Sequence, residues 1–359
     1  MLKHRKNISG AAALYNDFIW GANSGLRRLQ LAILTILFVL ICVATSLYLD
    51  LLIYGKEPAG TEPGEQVVTI TPGQRFKAFA VMLHEAGIIA HPIKFELFAR
   101  IKGLDKQIKA GEYILSSAMS PEKILDIMVG GKVRLYRLTI PEGYNLRQVS
   151  RTVAESGFGT ETDFFKTAVD PTLAGKQGID ADTFEGYLFP DTYYFPKDAT
   201  PETIISTMTR RFRAVFRPEW EDQARAIGFS IHQVVTLASI IEKETGTPSE
   251  RPIISSVFHN RLKRKMRLAS DPTVIYGIKD FDGNITRKHL KTPTPYNTYT
   301  IKGLPPGPIA NTGEASLKAA LYPDDTRFLY FVSKKDRTHQ FSTNIKDHNR
   351  AVRKYQLNR

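Results

Sequence analysis

Two carboxylates, Glu242 and Glu244, close a stretch of almost unbroken apolar character, Val234-Val235-Thr236-Leu237-Ala238-Ser239-Ile240-Ile241. An ionised carboxylate in a dry setting is costly. Held against apolar neighbours, such a group has a raised pKa and can act as a general acid near neutral pH. The stretch reads as a buried helix, because apolar residues cover nearly every face. Ser230, followed three residues on by Gln233, marks its start as a capping box. At 3.6 residues per turn the two carboxylates lie about 200° apart, so a given cleft receives only one of them. Glu242 shares its face with Val235, Ala238 and Ser239, and Glu244 shares its face with Leu237, Ile240 and Ile241. Helix geometry does not choose between them. The blander alternative is a helix end with solvated charges, the usual state of a glutamate.

The chain that must position these groups has 359 residues, room for two domains and extra segments. Its net charge of +13 suits an anionic polymer, a lipid surface or nucleic acid. The single cysteine, Cys42, rules out an intrachain disulfide and a cysteine-based zinc site. The eight histidines show no ligand spacing, which argues against a metal enzyme, and no cofactor is expected.

Residues 29–49 carry no charge and are long enough for a helix to cross a bilayer core. Lys3, Arg5, Lys6, Arg27 and Arg28 precede them against Asp17 alone, which places the N-terminus in the cytoplasm. The long leader and the lack of a small-residue cleavage site favour an uncleaved anchor over a signal peptide. Everything after about Leu51 then lies outside the cytoplasm, where cell-wall polymers and lipid headgroups replace nucleic acid as partners. A Pro/Gly-rich linker follows, within residues 50–65.

An internal repeat comes next, at an offset of 70 residues. Val68-Thr69-Ile70-Thr71-Pro72-Gly73 matches Leu138-Thr139-Ile140-Pro141-Glu142-Gly143, and Leu83-His84-Glu85-Ala86-Gly87 matches Val153-Ala154-Glu155-Ser156-Gly157. Each copy reads as strand, glycine turn, amphipathic helix, glycine stop and second helix. Residues 66–135 resemble a LysM-like sugar-binding module, with a plain α/β spacer as the alternative. Residues 136–359 are expected to form the catalytic domain, which makes the whole α+β.

Phe184-Glu185-Gly186-Tyr187-Leu188-Phe189-Pro190-Asp191-Thr192-Tyr193-Tyr194-Phe195-Pro196 suits sugar stacking or an aromatic core equally, with Glu185 and Asp191 as possible second carboxylates. Thr247, Pro248 and Glu250 fit a helix start as N-cap, N1 and N3, with Ser249 the rival cap. That helix runs into Arg261, Lys263, Arg264, Lys265 and Arg267, which read first as a solvated helix end. Asp271 reads as an N-cap or as a catalytic acid. The stretches Thr294–Tyr299 and Gly303–Asn311 hold too much Pro and Gly for a regular element, and form a rigid wall fit to line a groove. Phe328–Val332 and His339–Ser342 read as a hairpin across a charged turn, and His339 lines the site or is plain polar surface.

Taken together these stretches resemble the endolytic murein transglycosylase, or YceG-like, family. The carriers are Leu237-Ala238-Ser239-Ile240-Ile241-Glu242-Lys243-Glu244, Ser256-Val257-Phe258-His259-Asn260-Arg261-Leu262 and Met266-Arg267-Leu268 with Ser270-Asp271-Pro272-Thr273-Val274-Ile275-Tyr276-Gly277. Tyr296-Asn297-Thr298-Tyr299, Gly303-Leu304-Pro305-Pro306-Gly307-Pro308-Ile309-Ala310-Asn311 and the Glu185–Thr192 stretch complete the set. Thr312 departs from a common proline, and Ala269-Ser270 from a more polar pair. The resemblance implies a lyase of the inner membrane that cuts peptidoglycan glycan strands without water. It breaks the β-1,4 bond between N-acetylmuramic acid and N-acetylglucosamine and leaves a 1,6-anhydro end. It assigns the catalytic acid to Glu242, and requires no second carboxylate. It also implies action on nascent strands and links to penicillin-binding synthases and division proteins. Tyr296, Asn297, Asn311, Tyr187 and Asp191 are the expected substrate contacts. A hydrolysing muramidase using Asp191 or Asp271 beside Glu242, and an inactive wall-binding scaffold, are the alternatives.

Overall fold

A helix of 48 residues, α1 (Ser9–Lys56), begins the described part of the chain. The computed structural model describes residues 9–61, 64–279 and 281–357, with side chains from residue 25 onward. Lys3, Arg5 and Lys6, the side chain of Asp17, and the linker residues Glu62 and Pro63 lie outside the described residues. The stretch Gly25–Lys56 is long and apolar enough to cross a membrane; its most apolar 18 residues have mean hydropathy 2.6, and none of those is buried by protein. The helix continues through the first residues of the expected linker as far as Lys56, because Leu51 and Tyr54 are buried there against the next elements.

The first unit, Met1–Arg134, adds β1 (Glu65–Ile70), α2 (Phe76–Glu85), α3 (Pro92–Ile101), β2 (Gly111–Ser116) and α4 (Pro121–Val129). β1 and β2 pair antiparallel with Val68 opposite Tyr113. Phe79, Leu83, Phe95, Phe98, Tyr113, Leu115, Ile124 and Met128 form its core together with Leu51 and Tyr54. Ser120 caps α4 by accepting from the Lys123 N–H, with Pro121 at the first helical position.

The second unit, Leu135–Arg359, opens on β3 (Tyr136–Thr139), α5 (Leu146–Glu155), α6 (Glu161–Ala168), α7 (Pro171–Lys176) and β4 (Thr192–Phe195). β3 pairs antiparallel with β4, so strand–helix–helix recurs and each copy closes on a later antiparallel strand. The 70-residue offset reaches the backbone. Gly73 and Gly143 have φ of 79° and 77°, and Gly87 and Gly157 have φ of 70° and 85°, conformations that glycine takes without strain. In the aromatic stretch Phe184, Tyr187, Leu188, Phe189, Tyr193 and Phe195 are buried, so it builds core.

Next come α8 (Pro201–Val215), α9 (Pro218–Ala226) and α10 (Ile231–Glu244). They are followed by α11 (Arg251–Lys263), α12 (Asp271–Tyr276), α13 (Arg287–Lys291) and α14 (Glu314–Leu321). The strands β5 (Tyr330–Ser333) and β6 (His339–Ser342) precede α15 (Ile345–Val352). β5 and β6 pair across the charged turn, with Tyr330 opposite Ser342. The central element is α10. Both bonds of its Ser230–Gln233 capping box are made, and every residue from Val234 to Ile241 is buried. It packs most extensively on α14. A helix enclosed in this way fixes its last turn in space, and that turn carries both carboxylates.

Two local readings differ in the structure. Thr247 makes no side-chain cap; its hydroxyl donates to the Arg337 carbonyl (2.8 Å), and Pro248–Glu250 forms a single 3-10 turn. Glu250 is buried and accepts from the His339 N–H (2.8 Å), with the His339 Nδ1 at 2.7 Å, partners that a free helix start does not offer. At α12 the N-cap position falls to Ser270, and Asp271 Oδ1 instead accepts from the Tyr299 hydroxyl (2.7 Å).

Candidate active site

The last turn of α10 sends its two carboxylates into different surroundings. Glu242 is held on both oxygens. Oε1 accepts from the Arg251 guanidinium at 3.2 Å, and Oε2 accepts from the Gly313 N–H at 3.3 Å, just before α14. Arg251 also lies 3.8 Å from Glu142, in the turn that opens the second repeat copy. The Arg251 and Glu242 side chains are only 10% and 6% exposed, so this pair is nearly dry, while Glu142 is half exposed. Glu142 is pushed above the usual carboxylate range by burial and by the Glu242 carboxylate, with Arg251 opposing. The Glu142 carboxyl also lies directly against Gly313, in space that any side chain at that position would fill. Lys243 donates to the Gly143 carbonyl (3.2 Å), a further tie between α10 and the same turn.

Glu244 faces the opposite way and lines an open cavity of about 400 Å³. Asp271, Tyr299, Arg261, His339 and the strand residues Tyr330–Ser333 complete much of its wall. Glu244 Oε1 accepts from the Ser270 hydroxyl at 2.5 Å. Burial pushes this carboxyl up to about 7; the Ser270 bond opposes the rise, the Asp271 carboxylate adds to it and Arg261 opposes it. Burial likewise raises Tyr299, reinforced by its bond to Asp271. Arg261 is buried from the basic cluster: its Nε donates to the Leu329 carbonyl (2.7 Å) and its guanidinium lies 5.3 Å over the Tyr330 ring. It therefore braces the cavity wall. Among the described residues no cluster suited to a metal ion occurs.

The five expected substrate contacts fall elsewhere. Asn297 is fully buried, and its amide donates to the carbonyls of His289, Leu290 and Thr292. Asn311 is also fully buried; it donates to the Tyr144 carbonyl (2.9 Å) and accepts from the Leu188 N–H (2.9 Å). Both amides are committed to main chain, and they hold the Pro/Gly loops in place. Asp191 pairs with Arg211 at 2.8 Å and caps its own strand. Tyr187 is buried, with its hydroxyl 3.0 Å from His232 Nδ1. Tyr296 lines a second cavity, of about 540 Å³, together with Glu185 and His232. Glu185 is the other carboxyl that burial lifts to about 7; it accepts from the Leu146 N–H and the Tyr276 hydroxyl, which makes it a buried anchor for α5.

Ser270, Tyr299 and Arg251 were not singled out as site residues from the sequence. Ser270 and Tyr299 sit within recognisable motifs, and their hydroxyls were the available signal. Arg251 carried none, because its partners lie nine residues away and in another segment.

Glu244, its carboxyl raised by burial, thus stands beside Asp271 in an open cavity edged by the rings of Tyr299, Tyr330 and Phe331. The chain belongs to the YceG-like family, whose profile matches residues 68–354. It is 32% identical over 323 residues to the protein named endolytic murein transglycosylase in Bacillus subtilis, covering 84% of this chain and 89% of that one. A relative of the same name from Streptococcus pneumoniae is 30% identical over 79% of this chain. This chain spans 57% of the length of that streptococcal relative. The crystal structure of a YceG-like protein from Listeria monocytogenes matches with a TM-score of 0.56 and 33% identity, over 80% of this chain and 98% of that one.

Proposed function

We propose that this protein is a membrane-anchored endolytic murein transglycosylase, and that Glu244 rather than Glu242 is its general acid. The observation that carries the assignment is the cavity-facing Glu244 carboxyl, raised to about 7 by burial. Glu242 instead holds structure together: one oxygen accepts from the Arg251 guanidinium and the other from the Gly313 N–H, and it faces Glu142 rather than the cavity. Glu244 has one oxygen bonded to Ser270, and among the described residues no other donor reaches its carboxyl.

Glu244, protonated, gives its proton to the bridging oxygen as the bond to muramic C1 breaks. Positive charge develops at C1, and the Asp271 carboxylate, bonded to Tyr299, stabilises it from the cavity wall. The Glu244 carboxylate then takes the proton from the muramic C6 hydroxyl as that oxygen bonds C1. One carboxyl thus serves as acid and then base, no water is consumed, and the new end is 1,6-anhydro. Tyr330, held between Arg261 and His348, and Phe331 form the aromatic wall along which the strand lies. The bacterial inner membrane, with the N-terminus in the cytoplasm, is the location that supports this chemistry on nascent strands. Polymerising synthases and division proteins are the implied partners. The first unit, with the two helices α2 and α3 between its paired strands, is a LysM-like glycan holder in this reading.

Asp271 favours a second reading, hydrolysis, because it supplies a second carboxylate in the Glu244 cavity. Mass spectrometry of purified glycan strands incubated with the detergent-solubilised full chain in ¹⁸O-water separates the two. Unlabelled anhydro ends support the transglycosylase, and ¹⁸O-labelled reducing ends establish a hydrolase.

A further inference from the structure

The helix α3 exposes three large apolar residues, Ile93, Leu97 and Ile101, at 72%, 47% and 55%. Their four-residue spacing draws them into one stripe, within an arc of about 80°. The opposite side of the helix is accounted for: Phe95, Phe98 and Ala99 are buried in the core of the first unit. What covers the stripe is indicated by the way α3 meets α1. Asp50, the first charge after the apolar span, pairs with Lys94 at 2.7 Å. Further along α1, the Tyr54 hydroxyl donates to the His91 carbonyl (3.1 Å), and Gly55 lies against the Phe98 ring. Lys94 is thus the edge of α3 turned back toward the point where the apolar span ends. On a helical wheel Lys94 lies about 60° from the midline of the stripe on one side, and Arg100 about 60° on the other. Arg100 pairs with Glu96 at 2.6 Å, so the far flank is a solvated ion pair. The apolar stripe is bounded by the membrane-side edge and by the polar flank, and it is offset toward neither the core nor the sheet.

We propose that α3 rests on the bilayer, with Ile93, Leu97 and Ile101 dipping into the boundary between headgroups and acyl chains beside the exit of α1. The occupant of this face is lipid. The apolar span of α1 ends at Asp50, whose partner Lys94 borders the stripe, and Lys94 then stands at headgroup level, where its stem and charge are both satisfied. The first unit is then docked on the membrane through two helices. This inference rests on reading α1 as a membrane anchor.

The test uses the full chain in lipid nanodiscs, in a Cys42→Ser background, with a nitroxide placed in turn at Leu97→Cys, Arg100→Cys and Val43→Cys. Collision with oxygen and with a water-soluble nickel chelate reports depth. The expected result is a label at 97 about 5 Å below the headgroup boundary, a depth typical of an interfacial helix. The label at 100 is open to the chelate, and the label at 43 is deep in the acyl chains. If 43 is deep and 97 is as open to the chelate as 100, the stripe faces water and the proposal is overturned while the anchor stands. If 43 itself is open to the chelate, the anchor fails and the proposal falls with it. All three positions are exposed, so the substitutions leave the core of the first unit intact.

Discussion

Glu244→Gln removes strand cleavage, lowering turnover by about 10²–10⁴-fold, the usual contribution of a positioned acid–base group. Glu242→Gln keeps the same anhydro product at reduced rate, because it loosens the Arg251 clamp without touching the cavity. Glycan binding survives in Glu244→Gln, since the cavity wall and its rings are unchanged. The pH dependence follows from the same carboxyl. Its pKa is raised from 4.5 to about 7, so the acid form required in the first step is depleted above pH 7. The wild-type kcat/KM should fall on the alkaline side with an apparent pKa near 7. Stability moves in the same sense. Between about pH 4.5 and 7 the folded chain holds a proton that the unfolded chain has lost, so this contribution is complete below that window and lost as pH rises through it. Glu244→Gln carries no such penalty. It should be more stable than the wild type at pH 8, by roughly 1–3 kcal/mol. A thermal melt at pH 5 and pH 8 measures this. Lost cleavage in a protein that melts higher cannot be ascribed to unfolding.

Arg251→Met carries the largest expected cost in stability, about 3–5 kcal/mol, because it strands a nearly buried carboxylate without its cation. Glu242 keeps only the Gly313 N–H, and Glu142 loses the one influence that opposes its raised pKa. The deficit should be greatest at neutral pH and above, and should shrink as pH falls and Glu142, raised above the usual carboxylate range, takes up a proton. Adding Glu242→Gln to Arg251→Met should restore much of the loss, because the stranded charge is then gone. Urea unfolding of the single and double variants at pH 5 and pH 8 measures both effects. Equal losses in the single and double variants would mean that Arg251 acts through packing alone.

Local rules read α10 well. The Ser230–Gln233 box, the apolar run and the carboxylate end are all contiguous in sequence, and contiguous signals survive folding. The 70-residue repeat was legible for the same reason, since Gly73, Gly87, Gly143 and Gly157 each demand a backbone that other residues avoid. The choice between Glu242 and Glu244 was not legible. The two differ through Arg251 and Gly313 on one side and Ser270 and Asp271 on the other, partners drawn from three separate segments. Asn297 and Asn311 sat in loops that looked like groove walls. Pro/Gly loops lack a hydrogen-bond ladder of their own, and buried main-chain groups must be paired, so these amides go to the backbone. Thr247, Glu250 and Asp271 looked like helix caps because their types and spacing fit. Each found a tertiary partner instead, in Arg337, His339 and Tyr299, and a sequence pattern carries no record of such partners.

A structure of the Glu244→Gln variant bound to a glycan strand tests the central claim most directly. The account predicts a scissile glycosidic oxygen within hydrogen-bond distance of residue 244, with the sugar rings along the wall of Tyr330 and Phe331. A strand seated instead against Glu242, with Arg251 and Glu142 drawn aside to admit it, would contradict the account and return the acid role to Glu242.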